Sequence, residues 1–412
     1  MSHHDLILFF LQLAVILLSA LCFGQLARWL RQPVVLGELF GGIVLGPTIF
    51  KAVAPTWYVW LFPGVGTPPL ARDAVIKIGM LFFLFIAGLE VKLGHLQRHG
   101  WSTALTSILG IVVPFGCGFA AVLFWPTLWG PQAHDQAVMF GMFIGAALSI
   151  SALPVIARIL TDLGLLNKEL GTIVMVAATI NDLIGWSLFA VILSLLVPED
   201  LPVRSVWFTL ATVGGFFVLA LGLGKLGSQQ VLRWLRGHLP WPGSFIAVVA
   251  VVVLLAATLA EAVGIHAFFG TFLVGVGLAQ TAEEQHQVYE PIRQLAVSFF
   301  APIYFVSIGL QADFAQHFDL VLVLFVMVIA CVGKIGGASL GAWLSGTPRR
   351  EALAIGFGLN ARGAMEIILA SLALEYQLID QRVFVALVIM ALATSMLSGP
   401  AIQRLLRIQP TA

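Results

Sequence analysis

Four ionisable side chains lie deep inside long apolar stretches of this sequence, where an uncompensated charge costs at least about 2.5 kcal/mol. They are Asp182, Lys334, Arg362 and Glu366. A carboxyl group in such surroundings can hold either a proton or a cation, because a low dielectric disfavours the bare carboxylate. Hard cations prefer oxygen ligands, and we expect four nearby oxygen-bearing side chains to surround Asp182: Ser149, Ser151, Thr179 and Asn181. The pattern predicts a site where Na⁺ or K⁺ and H⁺ compete for Asp182.

The composition indicates the kind of element that positions these residues. Of 412 residues, 60 % are apolar and only 10 % are charged, whereas soluble proteins carry about 25 % charged residues. The sequence therefore predicts an all-α polytopic membrane protein. A net charge of +1 gives no reason to expect nucleic acid as a partner. The three cysteines all lie in apolar stretches, so we expect no disulfide framework, metal cluster or cofactor.

Thirteen segments have the roughly 20 apolar residues that a membrane-spanning helix needs. They cover residues 5–27, 34–50, 73–91, 101–125, 136–160, 169–196, 204–226, 242–262, 265–281, 294–311, 319–345, 351–375 and 383–407. Twelve spans is the alternative, because only Val263 and Gly264 separate the eighth from the ninth. Placing the N-terminus outside and the C-terminus in the cytoplasm puts most Lys and Arg residues on the cytoplasmic side, and this orientation favours thirteen.

The first segment is expected to be a true span and not a signal peptide, because it has no basic leader and no small-residue cleavage pattern. Four further ionisable residues lie near span ends, where we expect their side chains to reach the interface: Glu38, Lys77, Glu90 and Glu261. The predicted loops are too short for a soluble catalytic domain. We therefore expect the functional residues to lie within the membrane.

Two spans contain residues that interrupt a helix. Span five has Ser149, Ser151 and Pro154 at its centre, and span twelve has Asn360 and Gly363 at a comparable depth. The triplets of spans four to six and eleven to thirteen have opposite topology, which predicts an inverted repeat with two broken helices crossing near the midplane.

The half-helix ends at such a crossing carry partial charges. Lys334 and Arg362 can neutralise the carbonyl ends, and Glu366 can neutralise the amide ends. The alternative is that Pro and Gly serve here only as kinks and close-packing points. Gly333, Gly337 and Gly341, spaced by four residues, do favour close helix packing.

Competition between H⁺ and a cation for one carboxyl group would give exchange directly. We expect the protein not to be an enzyme, since intramembrane aspartyl proteases need two deep aspartates and only Asp182 is deep. Serine or metal hydrolases need a deep histidine or an HExxH motif, and neither occurs. A gated cation channel or uptake system stays as the alternative function, because oxygens around one carboxylate also suit conduction.

Several stretches of the sequence carry a resemblance to a known family. They are PVVLGELFGGIVLGP, LSISALPVIARILTDLGLLNKELGTIVMVAATINDLIGW, GIHAFFGTFLVGVGL, FFAPIYFVSIGLQADF, GKIGGASLGAW and GFGLNARGAMEIILA. In this order they resemble the membrane domain of the monovalent cation:proton antiporters. The second family of that superfamily is the most similar; it includes bacterial sodium/proton and potassium/proton antiporters and plant cation/proton exchangers.

The resemblance implies a homodimer that works by an elevator-like motion. It implies dimerisation helices in residues 1–100 and 231–311, a linker helix in 197–230, and a mobile core of helices four to six and eleven to thirteen in 101–196 and 319–412. We expect such a protein in the bacterial inner membrane, surrounded by lipid and serving pH homeostasis.

The same resemblance places the cation and proton site at Asp182 and the core lysine at Lys334. The unwound segments fall on 149–154 and 360–366. Asn181 departs from the pattern of the electrogenic members, which have two adjacent aspartates and pair the first with the lysine. We therefore expect one-for-one, electroneutral exchange and a Lys334 that has lost its partner. Since the sequence stops at Ala412, we expect no regulation by a fused nucleotide-binding domain.

Overall fold

The computed structural model of the protein describes residues 2–30, 32–90, 100–166, 168–196, 243–263, 266–284, 286–311 and 313–407, with a few scattered positions between 211 and 238. The described residues form helices joined by short turns, without a β-strand. The predicted seventh span (204–226) and the predicted linker (197–230) lie almost wholly outside the described residues.

The continuously described helices number nineteen. They are α1 (His3–Trp29), α2 (Val34–Leu45), α3 (Phe50–Val53), α4 (Pro55–Leu61), α5 (Thr67–Leu89), α6 (Gly100–Phe124), α7 (Pro126–Trp129), α8 (Pro131–Asp135), α9 (Ala137–Ser149), α10 (Leu153–Asp162), α11 (Glu169–Leu196), α12 (Gly243–Ala262), α13 (Ala267–Glu284), α14 (His286–Leu295), α15 (Ala301–Gln311), α16 (Leu320–Leu344), α17 (Arg349–Leu359), α18 (Ala364–Glu375) and α19 (Gln381–Leu406). One π-helical turn, Ala296–Phe300, joins α14 to α15.

In the described part of the chain, nine helical stretches are long and apolar enough to cross a membrane. They are His3–Trp29, Val34–Val53, Trp101–Phe124, Ala137–Asp162, Glu169–Phe189, Phe245–Ala262, Tyr289–Gln311, Leu320–Leu344 and Gln381–Leu406. Each overlaps a predicted span, so the helical polytopic membrane fold is confirmed.

The other four predicted spans differ. Predicted span 73–91 lies in α5, which also carries Arg72, Asp73 and Lys77. Predicted span 265–281 has a shorter apolar core, Ala267–Ala279, and predicted span 351–375 is divided into α17 and α18. The fourth is the seventh span, outside the described residues, so the total of thirteen stays a prediction.

Several long helices begin at polar residues that satisfy their free amide groups. Ser2 and Asp5 form a reciprocal capping box at the start of α1. The Asp319 carboxylate accepts from the amides of Val321 and Leu322 at the start of α16, and Asp380 accepts from Val383 at the start of α19. These aspartates therefore define where their helices start.

The chain divides into two compact units: unit 1 comprises residues 1–94 and 193–313, and unit 2 comprises 95–192 and 314–412. In unit 1, the glycine-rich α2 packs closely on its neighbours. A Cβ added to Gly24 of α1 would lie 3.0 Å from Val34 Cγ1 and 3.8 Å from Glu38 Cγ. The Glu38 side chain therefore lies against α1 and is only 6 % exposed, so the prediction that it reaches the interface is wrong. Lys77, Glu90 and Glu261 do keep exposed side-chain area, as expected.

In unit 2, α6 and α16 pack backbone against backbone. A Cβ added to Gly333 would lie 2.9 Å from Pro114 Cα, and one added to Gly341 would lie 2.7 Å from Thr106 Cα. The predicted close packing of the glycine series in span eleven is confirmed. It brings Lys334, which lies between two of these glycines, directly beside the middle of α6.

Candidate functional site

The candidate site lies in unit 2, where two helices are interrupted. The first interruption, Ile150–Ala152, separates α9 from α10, and the second, Asn360–Gly363, separates α17 from α18. Pro154 lies in the first turn of α10 and not within the unwound residues. A proline is well tolerated there, because the first turn of a helix has no partner for its amide. Likewise Glu366 lies in the first turn of α18, so each unwound segment is shorter than the sequence predicted.

The two interruptions are hydrogen-bonded to each other. The Ala152 amide donates to the Ala361 carbonyl at 3.0 Å, and the Ser151 hydroxyl donates to the Leu359 carbonyl at 2.8 Å. A Cβ on Gly363 would lie only 3.0 Å from Ala152 Cβ. Glycine at position 363 therefore permits the close approach, and neutral donors of the first interruption bind the last carbonyl of α17 and a carbonyl of the second interruption.

Cationic side chains satisfy the carbonyl end of α9. Arg362 Nη1 donates to the Ala147 carbonyl at 2.9 Å and Nη2 to the Leu148 carbonyl at 2.7 Å. Lys334 Nζ donates to the next carbonyl, that of Ser149. Three consecutive carbonyls that α9 leaves without helical partners thus bind two positive charges, which also oppose the negative end of the helix dipole.

Arg362 also forms an ion pair with Glu366. Its Nη1 lies 3.0 Å from Glu366 Oε1, and both side chains are at most 1 % exposed. The backbone carbonyl of Arg362 accepts a hydrogen bond from Ser395 of α19. Among the residues that the structure describes, Arg362 Nε and Glu366 Oε2 have no hydrogen-bond partner. The two opposite charges of this ion pair compensate each other inside unit 2.

Lys334 is fully buried and binds only neutral oxygens among the described residues. Besides the Ser149 carbonyl, its Nζ donates to the Gly110 carbonyl at 3.0 Å. In the amide orientation that satisfies both ends of Asn181, Oδ1 accepts from Lys334 Nζ at 2.9 Å and Nδ2 donates to the Ala177 carbonyl at 3.1 Å. Lys334 therefore has no ionic partner at position 181, and the neutral amide provides a hydrogen bond in place of the ion pair.

Asp182 lies on α11, one residue beyond Asn181, and is 3 % exposed. Its carboxylate lies near the amide of Leu153, the first residue of α10. It thus lies at the amide end of the half-helix that follows the first interruption. Among the described residues, its Oδ1 has no hydrogen-bond partner, and no ion pair engages Asp182 as one engages Glu366.

The other predicted ligand oxygens lie in the same unit and already make helix-internal bonds. The Ser149 hydroxyl donates to the carbonyls of Gly145 and Ile111, and the Thr179 hydroxyl donates to Met175. Each hydroxyl oxygen keeps lone pairs that can bind a cation. Asn360 Nδ2 lies 3.5 Å from Cys331 Sγ, and its Oδ1 has no partner. Asp182, Asn181 and Lys334 are therefore neighbours in the structure. Ser151 and Asn360 instead belong to the two interruptions.

Two contributors to the site escaped sequence analysis. The Gly110 carbonyl binds Lys334, and Ser395 binds the backbone of Arg362. A backbone acceptor leaves no trace in residue type, and a single serine in an apolar helix has no distinguishing pattern.

Within the described residues, no cluster of three or more His, Cys, Asp or Glu side chains could hold a metal ion. Oxygens around a single carboxyl group suit a weakly held monovalent ion.

The known proteins that this chain resembles all belong to one kind of protein, the cation/proton exchangers. The family model for the sodium/hydrogen exchanger, transmembrane, matches residues 14–408. Cation/H(+) antiporter 18 of Arabidopsis thaliana is 32 % identical over 406 residues, covering 95 % of this chain and 48 % of the plant protein. The chain thus spans about half the length of the plant relatives it matches.

A bacterial relative has a similar length. Na(+)/H(+) antiporter NhaS4 of Synechocystis sp. is 28 % identical over 408 residues, and the match covers 98 % of each chain. Among solved structures, the sodium proton antiporter MjNhaP1 from Methanocaldococcus jannaschii superposes with a TM-score of 0.70 at 16 % identity, covering 98 % of this chain and 99 % of that one. That likeness shows a shared fold.

Proposed function

The chain belongs to the sodium/hydrogen exchanger family, and on that premise we propose that it is a secondary active antiporter that exchanges Na⁺ or K⁺ for H⁺ at Asp182. The names of its relatives, which include sodium, potassium and general cation antiporters, support this class of activity. The transported ions are substrates, and the exchange needs no cofactor.

One observation carries the assignment to Asp182. At the two interruptions, Lys334 and Arg362 bind carbonyls of α9, and Glu366 is held by Arg362. The Asp182 carboxylate lies near the Leu153 amide, and among the described residues it has no ion pair and its Oδ1 has no hydrogen-bond partner. A buried carboxylate with an unused oxygen gains stability from either a proton or a cation, and it cannot bind both at once. Ser149, Ser151, Thr179 and Asn181 would supply further oxygens to the cation.

The charges support electroneutral exchange. Arg362 and Glu366 cancel each other, and Lys334 balances an ionised Asp182 while remaining bound to neutral oxygens. The site then carries the same charge, one unit above the empty state, whether it holds H⁺ or a monovalent cation. One cation would exchange for one proton without net charge movement.

We further propose that unit 2 is the mobile core and unit 1 the dimerisation scaffold, within a homodimer that alternates by an elevator-type motion. The bonds between the interruptions support movement of the site as one body, because they join both broken helices. The same proposal includes thirteen spans, the inverted repeat with crossing helices, and a bacterial inner membrane with the N-terminus outside and the C-terminus cytoplasmic. Its physiological role would be pH homeostasis.

Proteoliposomes that contain a pH-sensitive dye test the function. Adding Na⁺ or K⁺ outside should move protons through the wild-type protein, and Asp182→Asn should abolish the response. Asp162→Asn is a matched control, because Asp162 is an exposed aspartate of the same unit that pairs with Arg158. Proton movement that persists in Asp182→Asn would remove this residue from the mechanism. Ion currents without proton movement would favour the gated channel or uptake system.

Solid-supported membrane electrophysiology tests the stoichiometry. Electroneutral exchange predicts little net charge transfer when a saturating cation pulse is applied, under conditions where the dye assay reports rapid proton movement. A large transient current at the same transport rate would contradict one-for-one exchange.

A further inference from the structure

Helix α17 begins, after the turn that follows α16, with two adjacent arginines. Arg349 and Arg350 are exposed, and neither takes part in an ion pair or a hydrogen bond of a side chain within the described residues. Elsewhere in unit 2, Arg158 lies 2.9 Å from Asp162, and Arg382 lies 3.6 Å from Asp319, so each of these two charges has a carboxylate beside it. The adjacent pair at the start of α17 is a concentrated positive charge without an ion-pair partner among the described residues.

Apolar side chains adjoin the two arginines. The Arg349 guanidinium lies over the ring of Trp343, 5.4 Å from its centroid. Trp343 is 47 % exposed, and Leu340 and Leu344 beside it on α16 are 41 % and 57 % exposed. An exposed indole next to exposed leucines is typical of the boundary between hydrocarbon and headgroups. We therefore expect the indole to lie at that boundary and to hold the Arg349 cation where lipid phosphates would be.

We propose that this corner of unit 2 binds the headgroup of an anionic phospholipid, with the phosphate on Arg349 and Arg350 and the acyl chains along Leu340, Trp343 and Leu344. A guanidinium offers a planar fork of N–H donors that matches phosphate oxygens. Its stacking on Trp343 fixes the fork in advance, which lowers the entropy lost on binding. The adjoining apolar stripe distinguishes a lipid from free phosphate, because only a lipid brings chains that can cover it.

The bound lipid would act on the second interruption. Arg349 is the first residue of α17, and α17 ends at Leu359, directly before the unwound residues. Eleven residues of helix make a rigid rod about 16 Å long. A headgroup that holds the start of α17 therefore anchors one end of the segment that supports the proposed exchange site. This consequence rests on the proposed function, whereas lipid binding itself does not.

Native mass spectrometry of the full chain in a neutral detergent tests the binding, with phosphatidylglycerol and phosphatidylcholine as probes. Wild-type protein should retain phosphatidylglycerol in preference to phosphatidylcholine. The double variant Arg349→Gln/Arg350→Gln should bind phosphatidylglycerol about thirtyfold more weakly, since each basic side chain near an anionic surface contributes roughly fivefold. Arg349→Lys/Arg350→Lys should restore most of the affinity, and a restored variant also shows that the loss is not a folding defect.

Arg158→Gln is the matched control, since it removes an exposed arginine of the same unit whose charge is already paired. It should leave phosphatidylglycerol binding unchanged. Unaltered retention of phosphatidylglycerol in the double glutamine variant would overturn the proposal. Equal displacement of the lipid by millimolar inorganic phosphate would also overturn it, because that result would indicate a free-anion site. A loss of phosphatidylglycerol binding in the double variant with no loss of proton exchange would leave the lipid site standing and remove its link to transport.

Discussion

The two helix interruptions of unit 2 satisfy equivalent backbone groups with different chemistry. At the first, the carbonyl end of α9 binds the positive charges of Arg362 and Lys334. At the second, neutral donors take this place: the Ser151 hydroxyl binds the Leu359 carbonyl at the end of α17, and the Ala152 amide binds the Ala361 carbonyl within the interruption. The two interruptions are therefore electrostatically unlike, with both cations at the carbonyl end of α9.

The amide ends differ in a complementary way. Asp182 lies near the first residue of α10 and has no ion-pair partner among the described residues, whereas Glu366 lies in the first turn of α18 and is paired with Arg362. Each carboxyl group has one oxygen without a hydrogen-bond partner there, so the two differ in charge compensation. The contrast teaches that a buried acid becomes a candidate exchange site when its neighbours leave its charge uncompensated, and not through burial alone.

Arg362→Gln should have the largest effect on stability, because it removes the charge from two α9 carbonyls and leaves Glu366 as an uncompensated buried acid. We expect a loss of about 3 to 5 kcal/mol, the range for breaking one side of a buried ion pair. Thermal unfolding in detergent would measure it. Arg158→Gln, which breaks an exposed pair, should cost at most about 1 kcal/mol. Adding Glu366→Gln to Arg362→Gln should recover part of the loss; a double variant less stable than Arg362→Gln would contradict the assigned pairing.

Gly363→Ala should have an intermediate effect, because the added methyl group would lie 2.9 Å from Val155 Cγ2 and 3.0 Å from Ala152 Cβ. Overpacking of this kind costs about 1 to 3 kcal/mol. Gly336→Ala, in α16 of the same unit, is the control, since nothing lies within 4 Å of a Cβ there. Equal unfolding temperatures for the two variants would show that the interruptions do not approach as closely as described.

Ser151→Ala should have the smallest effect, because it removes one neutral donor from the Leu359 carbonyl and changes no charge. We expect about 0.5 to 1.5 kcal/mol, the usual net value of a hydrogen bond. Ser187→Ala is the comparison: its hydroxyl donates to the Leu183 carbonyl of its own helix, so its removal should cost less. A cost for Ser151→Ala as large as that of Arg362→Gln would remove the distinction between a charged and a neutral interruption.

Sequence analysis located the interruptions well, since Pro154 and Gly363 restrict or release the backbone in ways that residue type reveals. Deep burial of Asp182, Lys334, Arg362 and Glu366 also followed from their place in apolar stretches. The bounds of the unwound segments did not follow, because a proline that disrupts a helix interior is equally suited to a first turn.

Contacts across the fold could not be read from residue types. Asn181 appeared to deprive Lys334 of its partner, yet an amide oxygen replaces the carboxylate at hydrogen-bond distance. Arg362 and Lys334 both bind carbonyls of α9 because of the direction in which their side chains point. The spacing of residues in the sequence does not determine that direction. The position of Glu38 near a span end predicts an interfacial side chain, but packing of α2 against α1 buries it.

The central claim is that one carboxyl group binds either H⁺ or a metal cation, and isothermal titration of the purified protein with Na⁺ or K⁺ over a range of pH tests it most directly. Competition for one site predicts that the apparent cation Kd rises about tenfold for each unit of pH below the point where the site is half protonated, with one proton released per cation bound. Asp182→Asn should abolish this linkage, and Asp162→Asn should preserve it. A cation Kd that stays constant across the pH range, with no proton release, would contradict the account.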